Sequence, residues 1–205
     1  MSGIAALVLA GGRGERLGGV RKAALKIGGR RLIDRAAANL APHCAPLIVS
    51  TGRIEPVLLG LPAGATPLPD LDLPIGGPLA GILALADRLR SRDEPIDLVV
   101  SLAVDTPLVP KDFVPRLLAG LGGAAAAYAT CGENFYPTNA IWRRSALEQL
   151  ADRVRRGAAP RSIRVFLQEI GAVTADWPDG DGDPFANVNT LADLLSLERR
   201  AGASR

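Results

Sequence analysis

The residues best suited to chemistry lie near the amino terminus, where Leu9-Ala-Gly-Gly-Arg-Gly-Glu-Arg-Leu-Gly-Gly-Val-Arg-Lys22 closes an apolar run with glycines and cations. Glycines 11, 12 and 14 let backbone N–H groups approach an anion with no Cβ in the way, and Arg13, Arg16 and Lys22 add full positive charge. That combination suits a nucleoside triphosphate. It is not a Walker loop, because no Gly-Lys-Ser/Thr follows the glycines. It is not the dinucleotide fingerprint either, because Leu17 stands where the third glycine is required. Far along the chain, Asp105 sits in Asp-Thr-Pro after an apolar run. A carboxylate there is a good ligand for Mg²⁺, which takes hard oxygens and keeps several waters; the alternative is a turn aspartate that ends the strand. Lys22 reads as a phosphate-neutralising catalytic group, with Arg16 acting likewise, or as plain surface charge. Asp70 stands among prolines and is either a site residue or a loop cap. Asn187 and Asn189 cap the last helix, or Asn189 completes the metal or substrate site. Arg161, Ser162 and Arg164 either hold a phosphate or face solvent. The single histidine, His43, is beside Pro42, and no Gly-x-Ser-x-Gly occurs, so a nucleophilic triad has no support.

These residues need a frame that gathers them. Ile4–Ala10, Leu47–Val49 and Leu98–Leu102 have the length and branching of buried parallel strands. Helical spacing of apolar residues covers 32–40, 78–89 and 111–121, with Pro78 at a helix start, where a missing N–H costs little. Prolines 67, 69, 74 and 78 make 65–78 a loop, with a short strand before it. A small-residue strand over 124–129, a strand over 137–142 that is antiparallel or at an edge, two arginine-bearing helices over 143–157 and 160–169, a strand over 171–175 and a capping-box helix from Thr190 complete the chain. Asp176 to Asp183 reads as a surface loop. The alternation predicts an α/β protein, a three-layer α/β/α arrangement with a Rossmann-like, mostly parallel sheet and a short antiparallel element. Ligands of such sheets bind beyond the carboxyl ends of the strands. Gly11, Ser50, Asp70 and Asp105 all fall just past predicted strand ends, so they are expected on one rim.

The totals restrict the rest. With 205 residues the chain fits one domain, 1–205, with a nucleotide-binding half of about 1–120 and an acceptor-binding half of about 121–200. Only two Trp, two Tyr and four Phe are present at 48% hydrophobic content, so alanine, leucine and valine supply the packing. The net charge of +3 is concentrated, with eight Lys/Arg in 13–35 and seven Arg in 143–164. Two local basic patches suit a small polyanionic substrate and argue against a nucleic-acid partner. Cys44 and Cys131 lack CxxC spacing, which points to neither a disulfide framework nor a zinc site. The apolar start has no basic n-region, and no run reaches the ~18 apolar residues of a membrane span, so a soluble cytoplasmic protein without membrane association is expected.

The glycine loop resembles the signature of the nucleotidyltransferases that activate sugars and pterins, Leu-Ala-Gly-Gly-x-x-x-Arg-x-Gly-Gly-x-x-Lys. Beyond it, Gly77-Pro-Leu-Ala-Gly81, Asp105-Thr-Pro, Tyr136-Pro-Thr, Arg161-x-x-Arg164-x-Phe-Leu and Phe185-Ala-Asn-Val-Asn-Thr190 stand in the order found in the molybdenum cofactor guanylyltransferases, which the chain resembles over nearly its whole length. The resemblance implies Mg²⁺-dependent transfer of GMP from GTP to the phosphate of molybdopterin. It makes Leu9, Ala10, Gly11, Gly12, Lys22, Asp70 and Asp105 nucleotide-binding, with Asp105 also the metal ligand, and turns Asn187 and Asn189 toward the pterin. Proteins of cofactor insertion are implied partners. Some members carry an asparagine where this chain has Ser50, so recognition of the base or ribose is arranged differently here. Cytidylyl transfer to the same pterin, transfer to another phosphate acceptor, and a non-catalytic GTP-binding adaptor are the rival readings. An adaptor predicts loss of Asp105 or Lys22, and both are present.

Overall fold

A computed structural model describes residues 3–12, 18–92, 94–180 and 182–203. Strand β1 (Gly3–Leu9) is apolar on both sides. Ala5, Leu7 and Leu9 point into one core cluster, and Ala6, Val8 and Ala10 into a second. A strand buried on both faces has to sit inside a covered sheet. Around it lie β4 (Leu47–Gly52), β5 (Thr66–Pro69), β6 (Ile96–Ala103), β7 (Ala126–Cys131), β8 (Asn134–Arg143) and β9 (Val173–Trp177), in the order β5-β4-β1-β6-β8-β7-β9. β2 (Lys26–Ile27) and β3 (Arg30–Arg31) form a separate small hairpin.

Helices α1 (Leu32–Leu40), α3 (Phe113–Leu121) and α6 (Leu191–Ala203) cover one face. On the opposite face, α2 (Pro78–Ser91), α4 (Arg144–Arg155) and α5 (Ile163–Glu169) pack. The result is the expected three-layer arrangement. Its antiparallel element is β8, a ten-residue strand in the interior of the sheet, hydrogen-bonded to β6 on one side and β7 on the other. No described helix is long and apolar enough to cross a membrane.

Three expectations change. The proline-rich stretch contains β5 itself, with Pro67 and Pro69 inside it. Only β4 pairs with this strand, so the missing N–H groups can lie on the open edge, where proline is tolerated. β4 runs on to Gly52, which places Ser50 within the strand rather than past its end. Asp176 belongs to β9 rather than to the following loop.

Candidate active site

Three parallel strands, β4, β1 and β6, end together, and the chain leaving each one turns over the same rim. The close fit starts in the backbone. Gly11 crosses Gly52 so tightly that a Cβ built on Gly11 would lie 2.7 Å from the Gly52 Cα, and Gly52 itself holds φ at +63°. Neither position tolerates a side chain, and the glycine loop therefore lies directly against the end of β4. From the other side, the Gly77-Pro78 start of α2 closes over Ser50. A Cβ on Gly81, one turn into that helix, would lie 2.3 Å from the Ser50 Oγ.

The enclosed cleft has a volume of about 190 Å³. Leu9, Gly11, Gly12, Lys22, Ser50, Asp70 and Asp105 all line it, so the rim predicted from scattered strand ends is one surface. Gly52, Gly77, Pro78, Ala103 and Val104 line it as well; from the sequence Gly77 and Pro78 read only as a helix start and a family motif, and none of the five had a place in the site. A glycine that ends an apolar strand, or one that precedes a helix-opening proline, is the signal that would have found two of them. The Ala10 side chain lies in the core and does not line the cleft, because alternation along β1 turns it away. Arg16 lies outside the described residues.

At the cleft's polar end the Lys22 ammonium donates to Asp105 Oδ2 and Asn189 Oδ1, each at 2.7 Å. The lysine and aspartate side chains are only 14% and 19% exposed. These three residues come from the glycine loop, the turn after β6 and the entry to α6. Asn189 is placed by its neighbours: Phe185 is buried among Phe113, Tyr136 and Trp177, and Val188 is buried and donates its N–H to the Asp105 carbonyl at 2.9 Å. The Tyr136 hydroxyl donates to Asp183, and Asp183 Oδ1 accepts the Phe185 N–H at 2.8 Å. Asp193 accepts the N–H groups of Asn189 and Thr190, and these bonds hold its carboxyl below the usual range. Asn187, between the two buried anchors, is exposed. The structure thus brings Asn189 to the site and leaves Asn187 on the surface.

Beneath Asp105 a second set of bonds holds the end of β6. Asn139 on β8 is 1% exposed; its Oδ1 accepts the Ala103 N–H at 3.0 Å and its Nδ2 donates to Thr106 Oγ1 at 3.4 Å. Thr106 Oγ1 in turn donates to the Ala103 carbonyl at 2.8 Å. The β6–β8 ladder ends at Ser101 opposite Ala140, so Asn139 replaces the next rung and fixes the turn that carries Asp105. A polar residue in the middle of a mixed strand gave no sign of this role in the sequence. Asp70 follows β5, with its N–H on the Gly52 carbonyl at 3.0 Å. Burial raises its carboxyl pKa, partly offset by Arg53.

Chemically, Asp105 Oδ2 and Asn189 Oδ1 are hard oxygen donors that already surround one cation, the Lys22 ammonium. Among the described residues no group of three or more His, Cys, Asp or Glu forms a metal cage. A sparse donor set of this kind fits a Mg²⁺-like ion, which takes one or two protein oxygens and fills its remaining positions with water and substrate phosphate. It does not fit zinc, which takes three or four protein ligands drawn from Cys, His, Asp and Glu, a set not found among the described residues.

Residues 6–173 match the model of the MobA-like NTP transferase domain. A molybdenum cofactor guanylyltransferase from Cereibacter sphaeroides is 38% identical over 197 residues, which cover 94% of this chain and 94% of that protein. One from Nitrobacter hamburgensis is 34% identical over 206 residues, 95% of this chain and 93% of the relative. Among solved structures, the molybdopterin-guanine dinucleotide biosynthesis protein A of Archaeoglobus fulgidus superposes with a TM-score of 0.72 at 24% identity, covering 97% of this chain and 98% of that one; at that identity it speaks for the fold.

Proposed function

Because this chain belongs to the MobA-like NTP transferase family, we propose that it transfers GMP from GTP to the phosphate of molybdopterin, releasing pyrophosphate. The observation that carries this reading is the Lys22 ammonium held between Asp105 and Asn189 at the end of a glycine-lined cleft. The acceptor phosphate oxygen attacks the α-phosphorus of GTP, and the bond to the bridging oxygen of the β-phosphate breaks, leaving its electron pair on pyrophosphate. A phosphate acceptor is already ionised at neutral pH, so no general base is needed. What the reaction requires is alignment of two polyanions and neutralisation of the charge between them.

Gly11 and Gly12 offer an approach for the triphosphate that no Cβ obstructs, and Lys22 is placed to pass from its two oxygens to the phosphates. Ser50 and Asp70 face the base or ribose. Asp105, with Asn189 beside it, would hold Mg²⁺, which when bound supplies charge neutralisation at phosphate oxygens. Arg16, on the same glycine loop, is assigned to the phosphates as well. The chain acts as one domain: the half up to about residue 120 takes the nucleotide, and the remainder, with Asn189, takes the acceptor. We place the reaction in the cytoplasm, with proteins of cofactor insertion as the recipients of its product.

The test is to incubate the purified protein with Mg²⁺, molybdopterin and either GTP or CTP, and to follow pyrophosphate. GTP-dependent release is expected. Release with CTP alone would replace the guanylyl assignment by a cytidylyl one, and GTP binding without turnover would make the chain an adaptor.

A further inference from the structure

Strand β8 flanks the catalytic rim. It pairs with β6 only as far as Ser101 opposite Ala140, and its register beside β7 then shifts: Ala140 faces Tyr128, Tyr136 faces Ala129 and Phe135 faces Thr130. Residues 137–139 therefore bulge, and Phe135, two β7 positions past the level of Ser101, stands level with Ala103 at the end of β6, next to the turn that carries Asp105. It is an unusual residue to find there: a large aromatic, 40% exposed, in a chain with few aromatics. Its neighbour Tyr136 points into the buried aromatic cluster under α6, so alternation along the strand puts Phe135 on the opposite face, the one that bears α2 and α5. Ser50 and the start of α2, which line the cleft, lie on that face too.

The ring does not stand alone. The Arg164 guanidinium, from α5, lies 3.9 Å from the Phe135 ring centroid. Arg164 is exposed, and among the described residues no carboxylate pairs with it. A flat cation resting on a flat hydrocarbon, both open to solvent, is a surface that a planar heterocycle can cover, with the arginine left to meet its anionic groups.

We propose that Phe135 and Arg164 form the platform on which the acceptor's planar ring system rests. The ligand class is a phosphorylated molecule with a fused heterocycle, its phosphate reaching Asp105 and Lys22 while the ring covers Phe135. The platform presupposes the guanylyl transfer proposed above and adds the place where its acceptor is gripped. The nucleotide base occupies the other end of the cleft, by Ser50 and Asp70, so platform variants leave GTP untouched.

The experiment varies molybdopterin at saturating GTP and Mg²⁺ in the wild type and in F135A, F135L, R164A and R164K. F135A should raise the acceptor KM about tenfold, in line with loss of one aromatic stacking contact. F135L, which keeps apolar bulk without a ring, should recover little of that, and R164A should raise the KM about fivefold, with R164K between. In every variant kcat, the KM for GTP and the melting temperature stay within error of wild type, because both side chains are exposed. A second measurement needs no turnover. F135W introduces an exposed fluorophore while the native Trp142 and Trp177 are buried, and its emission should be quenched by molybdopterin alone. Wild-type acceptor KM in F135A and R164A overturns the platform and leaves guanylyl transfer standing. A wild type that transfers nothing to molybdopterin overturns the function instead, and the quenching titration then decides the platform by itself: no quenching overturns it.

Discussion

Two groups of polar side chains flank the end of β6, and they differ in what they leave unfinished. On the inner side, Ser101 donates to the Thr138 carbonyl at 2.8 Å and accepts the Trp142 indole N–H at 2.9 Å, while Asn139 and Thr106 secure Ala103. These groups are neutral and buried, and none of them is left without a partner. On the outer side, Lys22, Asp105 and Asn189 are charged or polar, partly open to solvent, and joined only through one ammonium. Satisfied neutral networks in a low-dielectric interior fix one geometry. A lysine held by two oxygens at a cleft mouth can be exchanged for another cation or for a phosphate. Rigidity beneath and exchangeability above are therefore separate properties, carried by different residues one turn apart.

Removing the outer acid should have the largest effect. Asp105→Ala takes away the only carboxylate bonded to Lys22 among the described residues and the main oxygen donor to a metal. Transfer should fall at least about a thousandfold, while the melting temperature stays within about 2 °C because no core atom is lost. Pyrophosphate release and a thermal melt on the same sample check both halves. A variant that keeps wild-type turnover removes Asp105 from the mechanism. Lys22→Ala comes next, with a loss of about a hundredfold from missing charge neutralisation. Its binding of GTP, measured without the acceptor, should weaken in parallel.

The inner network yields a paired prediction that separates holding from reacting. Asn139→Leu leaves the Ala103 N–H buried without a partner, a cost of about 1–3 kcal/mol. Ser101→Ala does comparable damage by stranding the Trp142 N–H and the Thr138 carbonyl. Both variants should melt several degrees below wild type. Only Asn139→Leu should also slow transfer, by about tenfold and in kcat rather than in the KM for GTP, because only Asn139 fixes the turn before Asp105. Equal kcat values in the two variants would show that Asn139 merely stabilises the fold.

The outer group was far more legible in the sequence than the inner one, for a physical reason. A glycine loop after an apolar strand, and an aspartate after another, announce themselves because the chemistry is local to a few consecutive residues. Parallel-sheet topology then predicts that strand ends meet, which is how Lys22 and Asp105 could be joined across 83 positions. Asn139 was invisible, since an amide in the middle of a strand acquires meaning only from the strand beside it. Whether Asn189 caps the last helix or completes the site was open for the same reason. Two buried anchors, Phe185 and Val188, decide which amide faces Lys22, and burial is a tertiary fact. The β5 edge was concealed by its prolines, which signal a loop unless one side of the strand is known to be unpaired. Phe135 and Arg164, 29 positions apart, meet only because α5 packs beside β8.

The smallest effect is expected at Asp70, which belongs to neither network and sharpens the contrast between them. Its carboxyl is partly buried with only the distant help of Arg53, so its folded pKa lies above the unfolded value. The sign follows from linkage: between the two values the folded state binds more protons, so stability declines as pH rises through that window and stays at its lower level above it. Asp70→Asn removes the ionised group and should raise the melting temperature at pH 7 by about 1–2 °C, the gain shrinking as the pH is lowered toward the carboxylate range. The same substitution should weaken GTP binding severalfold, because a carboxylate kept in a partly desolvated cleft without a full partner is available to a ligand's hydroxyl or amine donors. Melts at pH 7 and near pH 4, with GTP affinity measured at pH 7, test both consequences. A lower melting temperature at pH 7 would mean that Asp70 is a structural cap of its loop and no part of the cleft's chemistry.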